Sequence, residues 1–481
     1  MQSIPELQKL ATGQFAKSEL QKLQMDFINR YKVEDQSLVT MPDVSHTDMG
    51  FVIGYYTYAR YTQNIEYEQY ADYLLDKIMD DLPKNRQFCL DNGLLGVGCG
   101  IIYLLRNHFV RGDEDEIVSG IDSQLLTILT FSRGKTIIDW HGCLYYFRLR
   151  ILGKHSVDNI RYNLAFRQFL IFLLDCLIQM VFQGLELDDL IISEVQQFHQ
   201  MKLYPERTAE ILGLKKRNCA DSFSYPVMPT ERITFIIPLR VDSLERERNL
   251  DLLLECLSKF DNADIRILEG DKKQLYQMKK EYRNVVYSFV KDDDPVFYRT
   301  RYLNVLLREA ESPIVGIWDT DVMIPDSQIK KALLAIKEGK AVMSFPYDGH
   351  FYMLSSEESE LFVQEKSLDK LINQVEKGEL SCGPDTAVGG AFIVNKEVYL
   401  QAGGENEHFY GWSHEDSERV KRMQILDLPI FRAQGPLFHL YHPRKENSWY
   451  GSEDLELRSQ KEFLRICGMT QVELWDDIHS W

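Results

Sequence analysis

The hydrophobic period of this chain changes once, and that change limits the folds open to it. From about Gln8 to about Leu214 apolar residues recur at helical spacing, with little strand-like alternation. Pro226 and Pro229 then interrupt a polar segment between Lys215 and Thr230 that cannot continue a helix. Beyond it, short apolar runs at 233–238, 263–268, 285–289 and 314–318 read as strands, and Leu250, Leu253, Leu254 and Leu257 mark an intervening helix. Strands alternating with helices predict a mainly parallel sheet covered on both faces. At 481 residues the chain exceeds one ordinary core. The expectation is therefore multidomain: an α-helical domain over 1–215, a linker over 216–229 and an α/β domain over 230–481.

The run at 314–318 ends in Asp319-Thr320-Asp321, and Pro325 closes the segment before a polar helix start at Asp326 and Ser327. In an open α/β sheet, ligands bind beyond the carboxyl ends of the strands. Two carboxylates one residue apart repel each other unless something positive stands beside them. Mg2+ or Mn2+ would serve, because hard cations take oxygen ligands and leave positions open for phosphate. The pattern predicts a metal-bridged nucleoside diphosphate site, against the plainer reading of a solvated acidic turn.

Apolar content of 44% and charged content of 27% are those of a soluble globular protein. A net charge of −18 excludes long nucleic acid as a partner, since phosphate-backbone binding needs a basic face. An anionic sugar nucleotide stays open if a metal and a few arginines reverse the local field. Eight cysteines without framework spacing read as reduced thiols in a cytoplasmic protein. The first residues lack the apolar core of a signal peptide. The most hydrophobic stretch, 169–182, carries Asp175 and Gln179 and reads as a core helix too short for a membrane span.

Other clusters in the second half fit the same site. Arg240 closes the first strand just after Pro238, with Asp242, Arg246 and Asn249 following, and an arginine there can neutralise a diphosphate. Arg299 and Asn304 open a helix just upstream of the strand that ends at Asp319. Gly389-Gly390 precedes an apolar strand, where a sugar could lie against backbone. Trp412 followed by Glu415 and Asp416 places an aromatic ring beside two acids at a helix start, equally a favourable helix-dipole arrangement. His439 and His442 lie in a strand-like segment, and regular alternation puts them on opposite faces, so at most one should complete a metal shell with Asp321.

In this order, the motifs Ile237-Pro238-Leu239-Arg240, Phe297-Tyr298-Arg299, Asp319-Thr320-Asp321, Gly389-Gly390, Gly411-Trp412-Ser413-His414-Glu415-Asp416 and the histidine segment before Lys445-Glu446-Asn447 resemble the metal-dependent GT-A glycosyltransferases. Within that group, the motifs resemble the inverting β-1,4-galactosyltransferases and the chondroitin-polymerase-like family 2 enzymes. The resemblance implies a nucleotide-diphospho-sugar transferase fold that uses Mn2+ or Mg2+. It implies a UDP-sugar donor and a glycan, peptide or protein acceptor, with a hexose or N-acetylhexosamine moved to an acceptor hydroxyl. Arg240, Arg299, Pro238, Asn304, Gly390 and Trp412 would serve the donor, Asp319 the ribose or metal, and Asp321 with His439 or His442 the metal. Asp416 would be the general base, with Glu415 beside it. The galactosyltransferase motif has glycines where Ser413 and His414 stand, so the sugar is open among galactose, N-acetylglucosamine and N-acetylgalactosamine. The alternative is a sugar-nucleotide or glycan-binding protein without turnover.

The helical half repeats a Gly-Cys pair before an apolar, aromatic-rich helix, at Gly98-Cys99 and Gly142-Cys143, 44 residues apart. Around Gly93–Leu105 it resembles the α/α-toroid lanthionine cyclase-like proteins. That family's zinc is held by Cys and His ligands, whereas Trp140-His141-Gly142-Cys143 reverses the order and lacks a second cluster, so no zinc is expected. A scaffold or acceptor-holding surface is the expected role.

Overall fold

In a computed structural model of the chain, the residues described are 48–81, 89–90, 93–132, 139–153, 160–215, 225, 227–228, 232–383, 386–444 and 450–481. Most of the expected linker, the Lys445-Glu446-Asn447 string and the first turns at the N-terminus lie outside them. The chain divides into two units, Met1–Leu203 with Arg207–Leu214, and Tyr204–Glu206 with Lys215–Trp481.

The first unit is helical: α1 (Asp48–Thr62), α2 (Ile65–Asp81), α3 (Leu94–Arg106), α4 (Glu114–Ser132), α5 (Trp140–Leu152), α6 (Ile160–Phe182) and α7 (Asp189–Gln200), with α8 (Pro205–Ile211) at its end. The helix carrying the first Gly-Cys pair, α3, is buried from Leu94 to Leu105. A Cβ on Gly98 would stand 2.6 Å from the Tyr146 ring of α5, so the missing side chain is what lets these two helices touch. Asp139 caps α5 by accepting from Gly142 N at 2.6 Å, and its other oxygen accepts from Leu90 N at 2.8 Å. Arg150 is wholly buried and pairs with Asp115 at 2.7 Å and with Asp122 and Glu114 at 2.8 Å. Such a centre is costly to desolvate and costlier still to break.

The stretch at 169–182 belongs to the longer helix α6, so the expectation that it is too short to span does not hold. Asn163–Phe182 reaches a mean hydropathy of 1.8 and is long and apolar enough to cross a membrane, with 44% of that window buried. Phe166 packs its ring on Tyr146 and Phe147, and Asp175 accepts from Arg207 at 3.0 Å, contacts of a core helix.

The second unit is built on β1 (Ile233–Leu239), α9 (Leu244–Leu257), β2 (Ala263–Asp271), β3 (Val285–Lys291), α10 (Arg299–Glu309), β4 (Ile314–Trp318), β5 (Val322–Met323), α11 (Asp326–Lys337), β6 (Met343–Phe345) and β7 (Phe351–Met353). It continues through α12 (Ser356–Glu365), α13 (Leu368–Glu376), β8 (Ala391–Asn395), α14 (Lys396–Gln401), α15 (Glu415–Ile425), β9 (Ile430–Arg432), β10 (Leu437–His439), α16 (Glu453–Cys467) and α17 (Gln471–Ile478). Seven strands form one sheet in the order β3-β2-β1-β4-β8-β6-β9, and β5-β10-β7 form a second, smaller one. Every residue of β1 and β4 is buried, as near-continuous apolar runs in a sheet covered on both faces should be.

The pairs β2·β3, β1·β2 and β1·β4 are parallel, as the alternating pattern predicts. The strand β8 departs from it, running antiparallel to β4 with Trp318 opposite Ala391. That reversal brings the Gly389-Gly390 turn to the carboxyl end of β4, where Asp319 N donates to Gly390 O at 2.9 Å. The reversed strand thereby closes one side of the crevice.

Candidate active site at the carboxyl ends of the strands

A cavity of about 270 Å³ opens where β1, β4 and β10 end and β8, α10 and α15 begin. It is lined by Pro238, Arg240, Arg299, Asp319, Asp321, Gly390, Trp412, Glu415, Asp416, His439 and His442, all marked out in the sequence. Asn304 is the exception. It is buried behind the wall, donating to Glu405 O at 2.9 Å and Glu407 Oε1 at 2.8 Å while accepting from Glu405 N at 2.9 Å. The polar face of α10 turns away from the crevice at that position, so Asn304 secures the 405–407 loop instead of meeting a donor.

Asp321, His439 and His442 converge, their ligand atoms all within 4.8 Å of one another. His439 Nε2 stands 3.3 Å from Asp321 Oδ1, and His442 Nε2 stands 3.3 Å from Oδ2. Both histidines reach one acid, against the expectation of opposite faces. The reason is that β10 stops at His439; Leu440 N then donates to Asp321 O at 2.8 Å and the chain bends before Pro443. Alternation ends with the strand. Adjacent ligands of a small divalent ion stand about 3 Å apart, so the spacing fits, and one carboxylate with two imidazoles suits Mn2+ better than the all-oxygen preference of Mg2+. Burial pushes the Asp321 carboxyl up, but His439, Arg246 and His442 outweigh it and hold it below the usual carboxylate range. Burial lowers the His442 pKa, which keeps its ring neutral and able to ligate.

Asp319 stands outside this trio. Its Oδ1 accepts from Arg299 Nη2 at 2.6 Å, and burial with Asp321 and Asp416 nearby leaves its pKa raised despite that arginine. Arg299 Nη1 also faces Asp416 Oδ1 at 3.8 Å, and that nitrogen is buried without a hydrogen-bond partner. Asp416 is held from behind by Arg419 Nη1 at 2.8 Å and remains about a third exposed to the cavity. Glu415 is buried beside it, accepting from Ser413 N at 3.0 Å and Ser413 Oγ at 2.9 Å. Burial first, then the Asp416 charge, pushes the Glu415 pKa up to about 7.

Arg240 lines the cavity, but its guanidinium is committed to Gly270 O at 2.7 Å, Asp294 O at 3.0 Å and Asp292 Oδ2 at 3.3 Å. It stiffens the crevice wall. Trp412 is 43% exposed with its ring 4.9 Å from that of Tyr450. His414, which replaces a glycine of the resembling motif, is packed between the rings of Tyr450 and Phe463 and bonded to Ser459 Oγ at 2.9 Å. Burial lowers its pKa to about 4.

Phe351, Met353 and Arg444 also line the site and were given no role from sequence, whereas Arg246 was named there only as one member of the charge cluster after β1. Phe351 and Met353 share one face of β7, and nothing in the sequence shows that β7 pairs with β10.

Comparison with known proteins finds similarities in this second unit. Residues 370–446 match a family model described as the N-terminal domain of galactosyltransferase. That segment contains Gly389-Gly390, Trp412, Glu415, Asp416, His439 and His442. Beta-1,4-galactosyltransferase 7 of Mus musculus and that of Homo sapiens are each 29% identical over 83 residues, 16% of this chain. The chain spans about a quarter of the length of these curated relatives, 24%. Among solved structures, the catalytic domain of Drosophila beta1,4galactosyltransferase 7 in complex with xylobiose is 16% identical, with a TM-score of 0.28 over 49% of this chain and 80% of its own. The mannosyltransferase PcManGT from Pyrobaculum calidifontis, in complex with GDP-Man and Mn2+, is 13% identical, with a TM-score of 0.33 over 60% of this chain and 79% of its own.

Proposed function

We propose that this protein is a metal-dependent, inverting glycosyltransferase that moves a hexose or N-acetylhexosamine from a UDP-sugar to an acceptor hydroxyl. One observation carries the reading: the trio Asp321, His439 and His442 and the carboxylate of Asp416 open into the same cavity. A cation held by the trio would supply positive charge to the leaving diphosphate. Asp416 takes the proton of the incoming hydroxyl as its oxygen bonds to the anomeric carbon, while the bond from that carbon to the phosphate oxygen breaks and its electron pair leaves with the diphosphate. Arg299 sits between Asp319 and Asp416 and offsets their negative charge. The exposed Trp412 ring offers an apolar face to a pyranose, and the 389–390 turn lines the same cavity. Glu415 positions the Trp412 loop through Ser413.

For the first unit we infer a toroid-like scaffold that holds a glycan, peptide or protein acceptor. What supports it is the close packing of two Gly-Cys helices around Gly98.

The test is a panel of UDP-sugars with Mn2+, read as hydrolysis or transfer. Chelation and Asp321→Ala are expected to abolish turnover and to weaken nucleotide binding. Asp416→Asn is expected to lower turnover by about 10²–10⁴-fold with nucleotide affinity kept. Turnover that survives Asp416→Asn, or that ignores chelation, refutes the assignment.

A further inference from the structure

The guanidinium of Arg246 lies on the atoms that a cation at the trio would use. Its Nη1 donates to Asp321 Oδ2 at 3.2 Å and to Thr320 Oγ1 at 3.3 Å, and its Nη2 lies 3.2 Å from His442 Nδ1. Thr320 Oγ1 donates to the same Oδ2 at 3.3 Å, and His442 Nε2 is 3.3 Å from it, so three groups already crowd that oxygen. Placement is firm. Ser243 caps α9 by accepting from Arg246 N at 3.2 Å, and Asp242 Oδ1 accepts from Nε at 2.9 Å.

The charges decide what this contact does. Arg246, shared between Asp242 and Asp321, sets a positive charge beside Asp321 that repels a lone divalent ion unless further negative charge arrives with it. A diphosphate supplies that negative charge and is also a planar-fork target to which a guanidinium can turn. We propose that Arg246 is a positioning residue that makes the divalent cation and a nucleoside diphosphate bind as a pair, by competing with the cation for Asp321 and His442 until phosphate oxygens take it over. The inference rests on the reading of the trio as a cation site beside a diphosphate. It makes free protein a weak metal binder and ties metal affinity to donor occupancy.

The test needs no turnover. Mn2+ affinity of the parent protein, Arg246→Gln and Arg246→Lys is measured by the loss of the free-ion paramagnetic resonance signal, alone and with UDP, with GDP as a second arm. UDP and GDP affinities are measured calorimetrically with and without Mn2+. The parent is expected to show at least about tenfold coupling between Mn2+ and nucleotide, within the usual range for linked sites. Arg246→Gln is expected to bind Mn2+ alone about tenfold more tightly, and its coupling is expected to shrink about tenfold. Arg246→Lys keeps the charge and should stay within about threefold of the parent for Mn2+ alone. A merely structural role would not raise metal affinity. Unchanged or weaker Mn2+ binding in Arg246→Gln overturns the proposal while leaving the cation site intact, provided Asp321→Ala still abolishes it. A parent that binds Mn2+ equally well with and without nucleotide overturns it even if the glutamine variant does not fold. Absence of Mn2+ binding under every condition overturns the cation reading as well.

Discussion

Gly389→Ala isolates the contribution of Asp416 geometry from its charge. A Cβ built at Gly389 stands 2.5 Å from Asp416 Oδ2 and 3.3 Å from its Cγ, well inside van der Waals contact. The carboxylate cannot swing freely, because Arg419 grips Oδ1 at 2.8 Å, so relief requires a displacement of about 0.5–1 Å. Misplacing a catalytic group by about 1 Å costs about 10²-fold, equivalent to about 2.7 kcal/mol on the barrier. Turnover is therefore expected to fall about a hundredfold while UDP affinity in Mn2+ stays within about threefold, because Asp321, His439 and His442 stand on other elements. Steady-state kcat and calorimetric Kd provide the assay. Gly390→Ala is the contrast. Its φ of +87° is strained for alanine, and the added carbon would meet Val322 Cγ2 at 3.1 Å and Leu437 Cδ1 at 3.2 Å, so it should cost about 1–3 kcal/mol of stability. If Gly389→Ala keeps kcat within about threefold of the parent, Asp416 is not the proton acceptor.

Three other outcomes follow from contacts already described. Asn304→Ala removes three hydrogen bonds, two of them buried, and should destabilise the second unit by about 2–3 kcal/mol in urea titration, with nucleotide affinity unchanged. Glu415 binds its proton in the folded state up to a pH of about 7 but releases it near 4.5 when unfolded, so its contribution to stability falls as pH rises from 4.5 to about 7. In Glu415→Gln that decline, up to about 3 kcal/mol, should vanish from stability measured across the same pH range. Arg150→Ala leaves the buried Asp122 with the Tyr146 hydroxyl as its remaining donor, and melting of the first unit should report a loss of about 3–5 kcal/mol.

How much of this was legible in the sequence depends on whether the signal is local. The strands β1 and β4 are near-continuous apolar runs, and a fully buried strand can have little else, whereas β2 carries Asp264 and Arg266 and β3 is partly exposed. Asp319 and Asp321 are legible because they follow one such run directly. The direction of β8 is not, since its five residues read alike in either sense and only the Gly389-Gly390 turn beside Asp319 settles it. Alternation misled for His439 and His442 because the end of a three-residue strand leaves no mark. Asn304 shared a helix with Arg299 and was credited with the same duty, although five residues along a helix turn a side chain to a different face. Arg246 was visible only as one charge in a polar helix start; its importance comes from residues almost two hundred positions later, His442 among them.

The place of β10 between β5 and β7 has a consequence for synthesis as well as for the finished molecule. Asp321 leaves the ribosome more than a hundred residues before the histidines that complete its ring of donors. On the proposed reading of Asp321, His439 and His442 as a cation site, a nascent chain halted ahead of β10 carries the acids and arginines but only one of the three metal donors.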